Sequence, residues 1–427
     1  MRIYLGSLGC KLNQSEMDAL AIQLAQTGHQ VVGQPGEADL CILNTCAVTH
    51  DAAQKSRQTL RRLYRENPSA RLMVTGCYAE LAPDEVRGLP GVEWVVGNQA
   101  KDRLAEWIGN LESGSLPSPR HGAFSPLPHL RTRALIKIQD GCDHACSYCV
   151  IRLARGPQRS RPADQVLDEV QRRLAAGYQE IVLTGVHIGE YGADREGGGP
   201  GLDLWRLVRR ILAETDVPRL RLSSIEPWDL TERAFSCWSD GRLCRHLHLP
   251  LQSGCTATLR RMARRYSAAE FAALVSAARA AIPGLAVTTD VIVGFPGETE
   301  EEFAESLDFV EALGFARVHV FPYSPRPGTP AADMPHQVPA PVKAERARAM
   351  QAVAVAAAQT FARQFVGQTV QVLWESASLT GAGPLWRGLT DNYLRVYAVH
   401  PATLRNTFTS VRLVAVTQGG LQGEIIG

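Results

Sequence analysis

Six strand-then-helix repeats between residues 132 and 335 constrain this chain more than any other feature. Apolar runs predict strands over Ala134–Gln139, Glu180–Thr184, Arg219–Ser224, His246–Pro250, Ala286–Val293 and Arg317–Tyr323, with helices such as Ala163–Ala176, Asp203–Glu214 and Glu298–Leu313 between them. Strands joined by helices make parallel sheets, and six repeats in about 200 residues suit a (β/α)6 partial barrel better than a full eight-fold one. Residues 1–112 alternate in the same way. Strands are expected at Ile3–Leu8, Leu40–Asn44, Leu72–Thr75 and Trp94–Val96, with helices from Ser15 to Thr27 and from about Asp51 to Glu66. That pattern predicts an open parallel α/β sheet covered on both faces. Residues 113–131, with prolines at 117, 119, 126 and 128, read as a linker. A long alanine-rich helix, Lys343–Phe365, reads as a connector. Short strands then follow at Thr369–Trp374, Arg387–Thr390, Leu394–Ala398, Thr407–Thr409 and Arg412–Thr417, predicting a small antiparallel β-barrel. The expected domains are 1–112, 132–365 and 366–427.

A chain of 427 residues is long enough for two to four domains, each with its own core. Its ten cysteines are far below the ~8–10% of a disulfide scaffold. Met1-Arg2-Ile3 leads straight into a strand, so no secretory signal is expected, and no apolar run approaches the ~18 residues of a membrane span. A secreted disulfide protein and an integral membrane protein are thereby excluded. The expectation is a cytoplasmic protein whose thiols are inert, catalytic or metal-bound. The 45 Lys+Arg nearly balance the 43 Asp+Glu. Only Lys11, Lys55, Lys101, Lys137 and Lys343 are lysines, and the arginine excess fits genome composition, so charge alone does not declare a nucleic-acid binder.

Cys142-x-x-x-Cys146-x-x-Cys149 directly follows the first barrel strand, at the end where such barrels assemble their sites. Three thiolates on one loop can hold three corners of a 4Fe-4S cluster and leave the fourth iron open. Zinc is the competing metal, but a structural zinc site wants four ligands and no fourth cysteine or well-spaced histidine follows; His144 lies between the cysteines. Cys10, Cys46 and Cys77 each lie after a predicted parallel strand and before a helix. Such turns share the carboxyl edge of the sheet, so these thiols converge on one face: either a second cluster with an open iron or three isolated thiols. Cys41 reads as core, and Cys237, Cys244 and Cys255 as structural thiols.

With Tyr148 before its third cysteine, the loop resembles the radical S-adenosylmethionine (radical SAM) superfamily. Together with the upstream trio and the terminal barrel, the whole chain resembles the methylthiotransferases. In that family an N-terminal cluster domain, a radical SAM barrel and a TRAM RNA-binding domain (a small OB-like barrel) follow in this order. The segments Gly9-Cys10-Lys11-Leu12-Asn13-Gln14, Asp140-Gly141-Cys142, Ala154-Arg155-Gly156-Pro157, Leu183-Thr184-Gly185-Val186-His187 and Leu222-Ser223-Ser224-Ile225-Glu226-Pro227 look most like the MtaB-type branch. That branch converts N6-threonylcarbamoyladenosine at position 37 of tRNA to its 2-methylthio derivative. The alternatives are the branch acting on N6-isopentenyladenosine-37, the branch acting on a ribosomal-protein aspartate, and an RNA-binding iron–sulfur protein without turnover.

C2 of adenine is unactivated, so no ordinary general base removes its hydrogen and a cofactor must supply the chemistry. The resemblance implies that S-adenosylmethionine chelates the open iron at Cys142, Cys146 and Cys149 and yields the radical that abstracts the C2 hydrogen. It implies also a second cluster at Cys10, Cys46 and Cys77 presenting sulfur that another S-adenosylmethionine methylates, and a protein donating single electrons. The implied cofactor contacts are Tyr148, Gly185, Gly189 and Glu190 after the second strand, Gln252 after the fourth, and Val293 and Gly294 closing the fifth and packing on the adenine. For each glycine the alternative is a strand-end turn. Arg57, Arg61 and Arg65 share one helix face, and Arg155 and Arg159 follow the cysteine loop; with Arg260, Arg261, Arg264 and Arg265 they offer phosphate-neutralising charge around a cleft, or else solvated faces. In the terminal barrel Trp374, Trp386, Tyr393 and Tyr397 are base-stacking or core residues.

Overall fold

The computed structural model describes residues 1–112, 132–194 and 201–426, so the linker expected at 113–131 lies outside the described residues. The chain starts with a five-stranded parallel sheet: β1 (Arg2–Ser7), β2 (Gln30–Val32), β3 (Leu40–Thr45), β4 (Arg71–Gly76) and β5 (Val92–Val96), in the order β2-β1-β3-β4-β5. Every residue of the central β3 is buried. Its alternate side chains feed two cores, as the two-residue period of a strand demands. Leu40 and Ile42 join Ile3, Leu20 and Leu24 on one face, while Cys41 and Leu43 join Leu60, Leu63 and Val74 on the other. Full burial of each such Leu or Ile contributes about 1.5–3 kcal/mol.

The first helix, Lys11–Gln26, begins four residues before the expected Ser15, immediately after Cys10. Its first turn is polar because it faces other main chain rather than a core: Asn13 donates to the carbonyls of Leu8 (2.8 Å) and Thr45 (3.0 Å). The second helix, His50–Glu66, is capped by Thr49, whose hydroxyl accepts from the Ala52 amide.

Six parallel strands follow, β6 (Arg133–Lys137), β7 (Glu180–Thr184), β8 (Arg219–Leu222), β9 (His246–His248), β10 (Ala286–Val293) and β11 (Arg317–Pro322). They form two three-stranded halves, joined by single bridges Leu220–Leu243 and Ser224–His248. The result is a partial barrel with two free edges, and the N-terminal unit touches both. Ser15 Oγ donates to the Leu135 carbonyl of β6 at 3.0 Å, and the His50 amide donates to Ser324 Oγ, just past β11, at 3.1 Å. The Leu135 carbonyl on the β6 edge is thereby satisfied.

After the helix Ala340–Arg363 comes a closed five-stranded barrel: β12 (Thr369–Thr380), β13 (Gly383–Leu389), β14 (Arg395–Val399), β15 (Phe408–Thr417) and β16 (Gly420–Ile425), in the order β12-β13-β14-β16-β15. Three expectations need correction. Thr407–Thr409 and Arg412–Thr417 are parts of one strand, β16 went unseen, and β14 pairs with β16 in parallel while the other pairings are antiparallel. β15 carries an irregular register between Leu413 and Ala415.

This small barrel sits on the amino ends of β6–β9, opposite the cysteine loop. Arg221, fully buried with Glu180 (2.6 Å), also donates to the carbonyls of Thr390 (3.2 Å) and Asp391 (2.9 Å). Arg245 pairs with Asp391 at 2.6 Å, Arg133 pairs with Glu375 at 2.9 Å, and Tyr393 stacks on His246. Trp374 and Trp386 are core, so they offer no face to a base.

Candidate active site

The Cys142–Cys149 loop leaves β6 through a short antiparallel pairing of Gln139–Asp140 with Arg159–Ser160. Its main chain is pinned on both sides. The Cys142 amide donates to the Gly156 carbonyl and the Cys149 amide to that of Cys146, each at 3.1 Å. The Ser147 amide donates to Met262 O (3.1 Å), and the Ala331 amide donates to Ser147 O (2.8 Å). Burial pushes the Cys149 thiol up to about 12 and raises Cys146 as well, each sulfur adding to the cost of charging its neighbours. Cysteine sulfurs are soft donors that a strongly bound cationic centre deprotonates, so three of them on one anchored loop fit an iron–sulfur cluster.

Against this loop stands a polar wall. His144 Nε2 meets Glu190 Oε1 at 2.9 Å, His187 Nδ1 lies 3.4 Å from Glu190 Oε2, and His187 Nε2 bonds Asp229. Burial would lower the His187 imidazole, but Asp229, Cys142 and Glu190 push it up to about 10. Gln139 shapes the wall, its side-chain oxygen accepting from the amides of Val186 (3.0 Å) and His187 (2.8 Å). Gly185 packs on the Gln139 carbonyl and Gly189 on Asp229, where a Cβ would lie 2.8 and 2.2 Å from those neighbours. Trp228 closes the aromatic side with His144 and His187, and Arg264 lies over its ring. Arg264 also bonds Glu226 and reaches within 3.6 Å of Cys146 Sγ.

The expected cofactor residues divide. Tyr148 packs edge-on to Phe295 beside the loop. Gln252 holds a left-handed backbone, φ 66°, while its main chain pairs with that of Asp290 and Ile292. Gly294, φ 70°, lies where a Cβ would meet the Lys343 stem at 2.2 Å, so glycine is required there. The Val293 side chain is buried in the main barrel core with Val287 and Val291. By strand alternation its neighbour Ile292 takes the other side and joins the Phe295 cluster against which Tyr148 packs.

Cys10, Cys46 and Cys77 sit at the carboxyl ends of β1, β3 and β4, adjacent strands of the first sheet. Gly9, φ 91°, lets the chain pass so close that a Cβ would be 2.7 Å from Cys46 Sγ. Burial pushes Cys46 up to about 11, with Cys77 and Cys10 adding to the rise; burial raises Cys77 too, opposed by Arg155. The three thiols therefore share one electrostatic environment. Cys10 is the exposed member. Their donor chemistry matches that of the barrel loop and fits a second cluster. The other four cysteines are buried.

The arginines also divide. Arg61 and Arg65 are exposed on one helix face, while Arg57 is half-buried against Glu85 (3.1 Å) and the Tyr78 ring. Arg159 is half-buried, with Nη2 3.4 Å from the Arg155 carbonyl. Arg155 as an RNA contact is a correction: it is 1% exposed and held by carboxylates, so no phosphate reaches it. Arg264 is likewise buried. His144, Glu226, Trp228 and Asp229 are site residues the sequence reading missed. The usable signal was position, since the last three follow β8 at the barrel's carboxyl end.

A family profile described as the radical SAM superfamily matches residues 136–310, and one described as uncharacterized protein family UPF0004 matches residues 2–97. Threonylcarbamoyladenosine tRNA methylthiotransferase MtaB of Bacillus subtilis is 39% identical over 402 residues, covering 91% of this chain and 88% of that protein. Its counterpart from Thermotoga maritima is 35% identical, covering 97% and 95%. A tRNA-2-methylthio-N(6)-dimethylallyladenosine synthase of Novosphingobium aromaticivorans is 37% identical, covering 86% and 85%. Among solved structures, the radical S-adenosylmethionine methyltransferase TsrM of Kitasatospora setae shares the fold, with TM-score 0.57, 18% identity, and coverage of 78% and 77%.

The chain belongs to the radical SAM tRNA methylthiotransferase family and is an enzyme. Membership brings a 4Fe-4S cluster and S-adenosylmethionine. No helix among the described residues is long and apolar enough to cross a membrane.

Proposed function

We propose that the chain methylthiolates C2 of N6-threonylcarbamoyladenosine at position 37 of tRNA. Cys142, Cys146 and Cys149 hold the 4Fe-4S cluster that binds S-adenosylmethionine, and Cys10, Cys46 and Cys77 hold a second. The observation that carries this reading is the junction of the two thiol sets: Arg155, six residues after Cys149, donates to Asn13 Oδ1 at 2.6 Å across the interface, and the same oxygen accepts from Cys10 Sγ at 3.7 Å. A radical source and a sulfur source brought to one space are what replacement of an unactivated C–H by C–S needs. When bound, the cluster with S-adenosylmethionine supplies a carbon radical strong enough to remove the C2 hydrogen.

This chain's residues bind and orient. Glu190, with His144 and His187 behind it, offers a carboxylate for the ammonium of S-adenosylmethionine, and Tyr148, Gln252 and Gly294 border the nucleoside. Residues 1–112 present the sulfur site, 132–365 the radical barrel, and 366–427 a TRAM module for tRNA. The electron comes from a separate reductant protein, and tRNA substrate and single-electron donor place the enzyme in the cytoplasm.

What favours the threonylcarbamoyl group over an isopentenyl group is the barrel interior. His246, His248, Asp290 and His319 line it, His248 meeting Asp290 at 3.3 Å, and the Lys11 amine shares the field of Asp290 and Glu180. A substituent ending in a carboxylate suits a polar, hydrogen-bonding interior; a hydrocarbon one does not. Lys11→Met is expected to raise KM for threonylcarbamoylated tRNA about tenfold or more, the scale of one lost bond between charged groups, while uncoupled cleavage of S-adenosylmethionine persists. Steady-state kinetics checks this, and an unchanged KM removes Lys11 from substrate recognition. Removing the exposed pair Arg61 and Arg65 (both to Ala) is expected to weaken tRNA binding several-fold at low salt and hardly at high salt, read by filter binding across a salt series. Iron and sulfide analysis of the anaerobically reconstituted chain tests the two-cluster arrangement: about eight irons per chain support it and about four refute it.

A further inference from the structure

Arg155, directly after the cysteine loop in sequence, is 1% exposed and held by three side chains. Its Nη1 meets Glu16 Oε1 at 2.9 Å and Asp140 Oδ1 at 2.8 Å, and its Nη2 meets Asn13 Oδ1 at 2.6 Å. Glu16 also takes Lys101 Nζ at 2.7 Å, with Lys137 Nζ 3.8 Å away. Lys137 in turn lies 3.5 Å from Asp140. Asn44 ties this group to β3, donating to Glu16 at 2.9 Å. Three cations thus face two carboxylates in the buried part of the network. The remaining acid, Asp102, meets Lys137 from the solvent side, where water screens it.

A buried excess of positive charge is expensive unless an anion answers it. The network touches the first thiol set at two points. Asn13 Oδ1, which accepts from Arg155 Nη2 at 2.6 Å, also accepts from Cys10 Sγ at 3.7 Å, and Asn13 Nδ2 donates to the carbonyl of Thr45, the residue before Cys46, at 3.0 Å. A cluster in its +2 state on three thiolates carries one net negative charge, which matches the surplus cation. The same guanidinium is fixed by Asp140, two residues before Cys142.

We infer that Arg155 is a positioning residue for the second cluster: its buried charge neutralises the cluster held by Cys10, Cys46 and Cys77, favours its reduced state, and fixes its distance from the Cys142 loop. This rests on the two-cluster reading above. Hydrogen bonds to ligand sulfurs and nearby net charge are the means by which proteins set such potentials.

The test uses the full chain carrying Cys142→Ala, Cys146→Ala and Cys149→Ala, so that only the second cluster is present, followed by redox titration under electron paramagnetic resonance. With Arg155→Met the reduced fraction at the parent midpoint is expected to fall about tenfold, the scale of one nearby charge at an intermediate effective dielectric. Arg155→Lys should stay close to the parent. Glu16→Gln, which leaves Arg155 in place and deletes an anion, should shift the midpoint the other way. A parent-like midpoint in Arg155→Met at full iron overturns the inference, as does a Lys variant displaced as far as the Met variant. Should Arg155→Met fail to fold, the Glu16→Gln shift decides, and no rise overturns the inference. A parent chain that binds no iron overturns the two-cluster reading instead, and the role of Arg155 with it.

Discussion

Cys46→Ala is expected to leave cleavage of S-adenosylmethionine near its parent rate while methylthio product falls more than about 100-fold. The residue lies at the carboxyl end of β3, in the trio proposed as the sulfur site and outside the Cys142 loop. Loss of a metal ligand costs more than the 10–100-fold typical of an outer contact. Alanine fits the site sterically, because the thiol is buried beside Gly9 and only the sulfur is removed. Cys146→Ala is the control, expected to abolish both 5′-deoxyadenosine formation and product. Parallel assays of 5′-deoxyadenosine and of modified nucleoside separate the two. Product retained in Cys46→Ala would remove that trio from sulfur transfer.

Glu16→Ala is the second large effect, this time on stability. The carboxylate is buried between Arg155, Lys101 and Asn44, and its loss strands buried cations across the interface between the first sheet and the barrel. Breaking such a network by removing one partner costs about 3–5 kcal/mol. Burial alone would push the Glu16 carboxyl up, but Lys101, Arg155 and Lys137 outweigh it and hold it well below the usual carboxylate range. A depressed folded value means that Glu16 stabilises fully above the unfolded value of about 4.3 and loses that contribution as pH falls toward the folded one. The gap between parent and Glu16→Ala should therefore be constant from about pH 6 to 8 and narrow below about pH 4. Urea unfolding of the metal-free chain at several pH values checks it; equal stabilities at neutral pH would contradict the role given to the network.

The barrel strands were legible because strands buried on both faces are written as apolar runs, and Glu180–Thr184 and Ala286–Val293 emerge with the expected bounds. Both cysteine sets could be placed because strand ends of parallel sheets share an edge. Polar first turns and glycine-rich strands were not legible. Lys11, Asn13 and Gln14 open a helix without an apolar face to advertise it, and β16 carries Gly423 where Val411 and Val396 leave no room for a side chain. Charge partners were hidden by distance along the chain. Glu16 lies 139 residues from Arg155 and Asp229 lies 42 from His187, so nothing local distinguished a buried, paired arginine from a surface one.

Substrate choice is tested most directly by incubating the reduced, fully reconstituted enzyme and S-adenosylmethionine with two tRNA preparations, one carrying threonylcarbamoyl and one isopentenyl at adenosine 37, and resolving nucleosides by mass spectrometry. A methylthio product is expected on the threonylcarbamoylated tRNA. A methylthio product on the isopentenylated tRNA alone would contradict it.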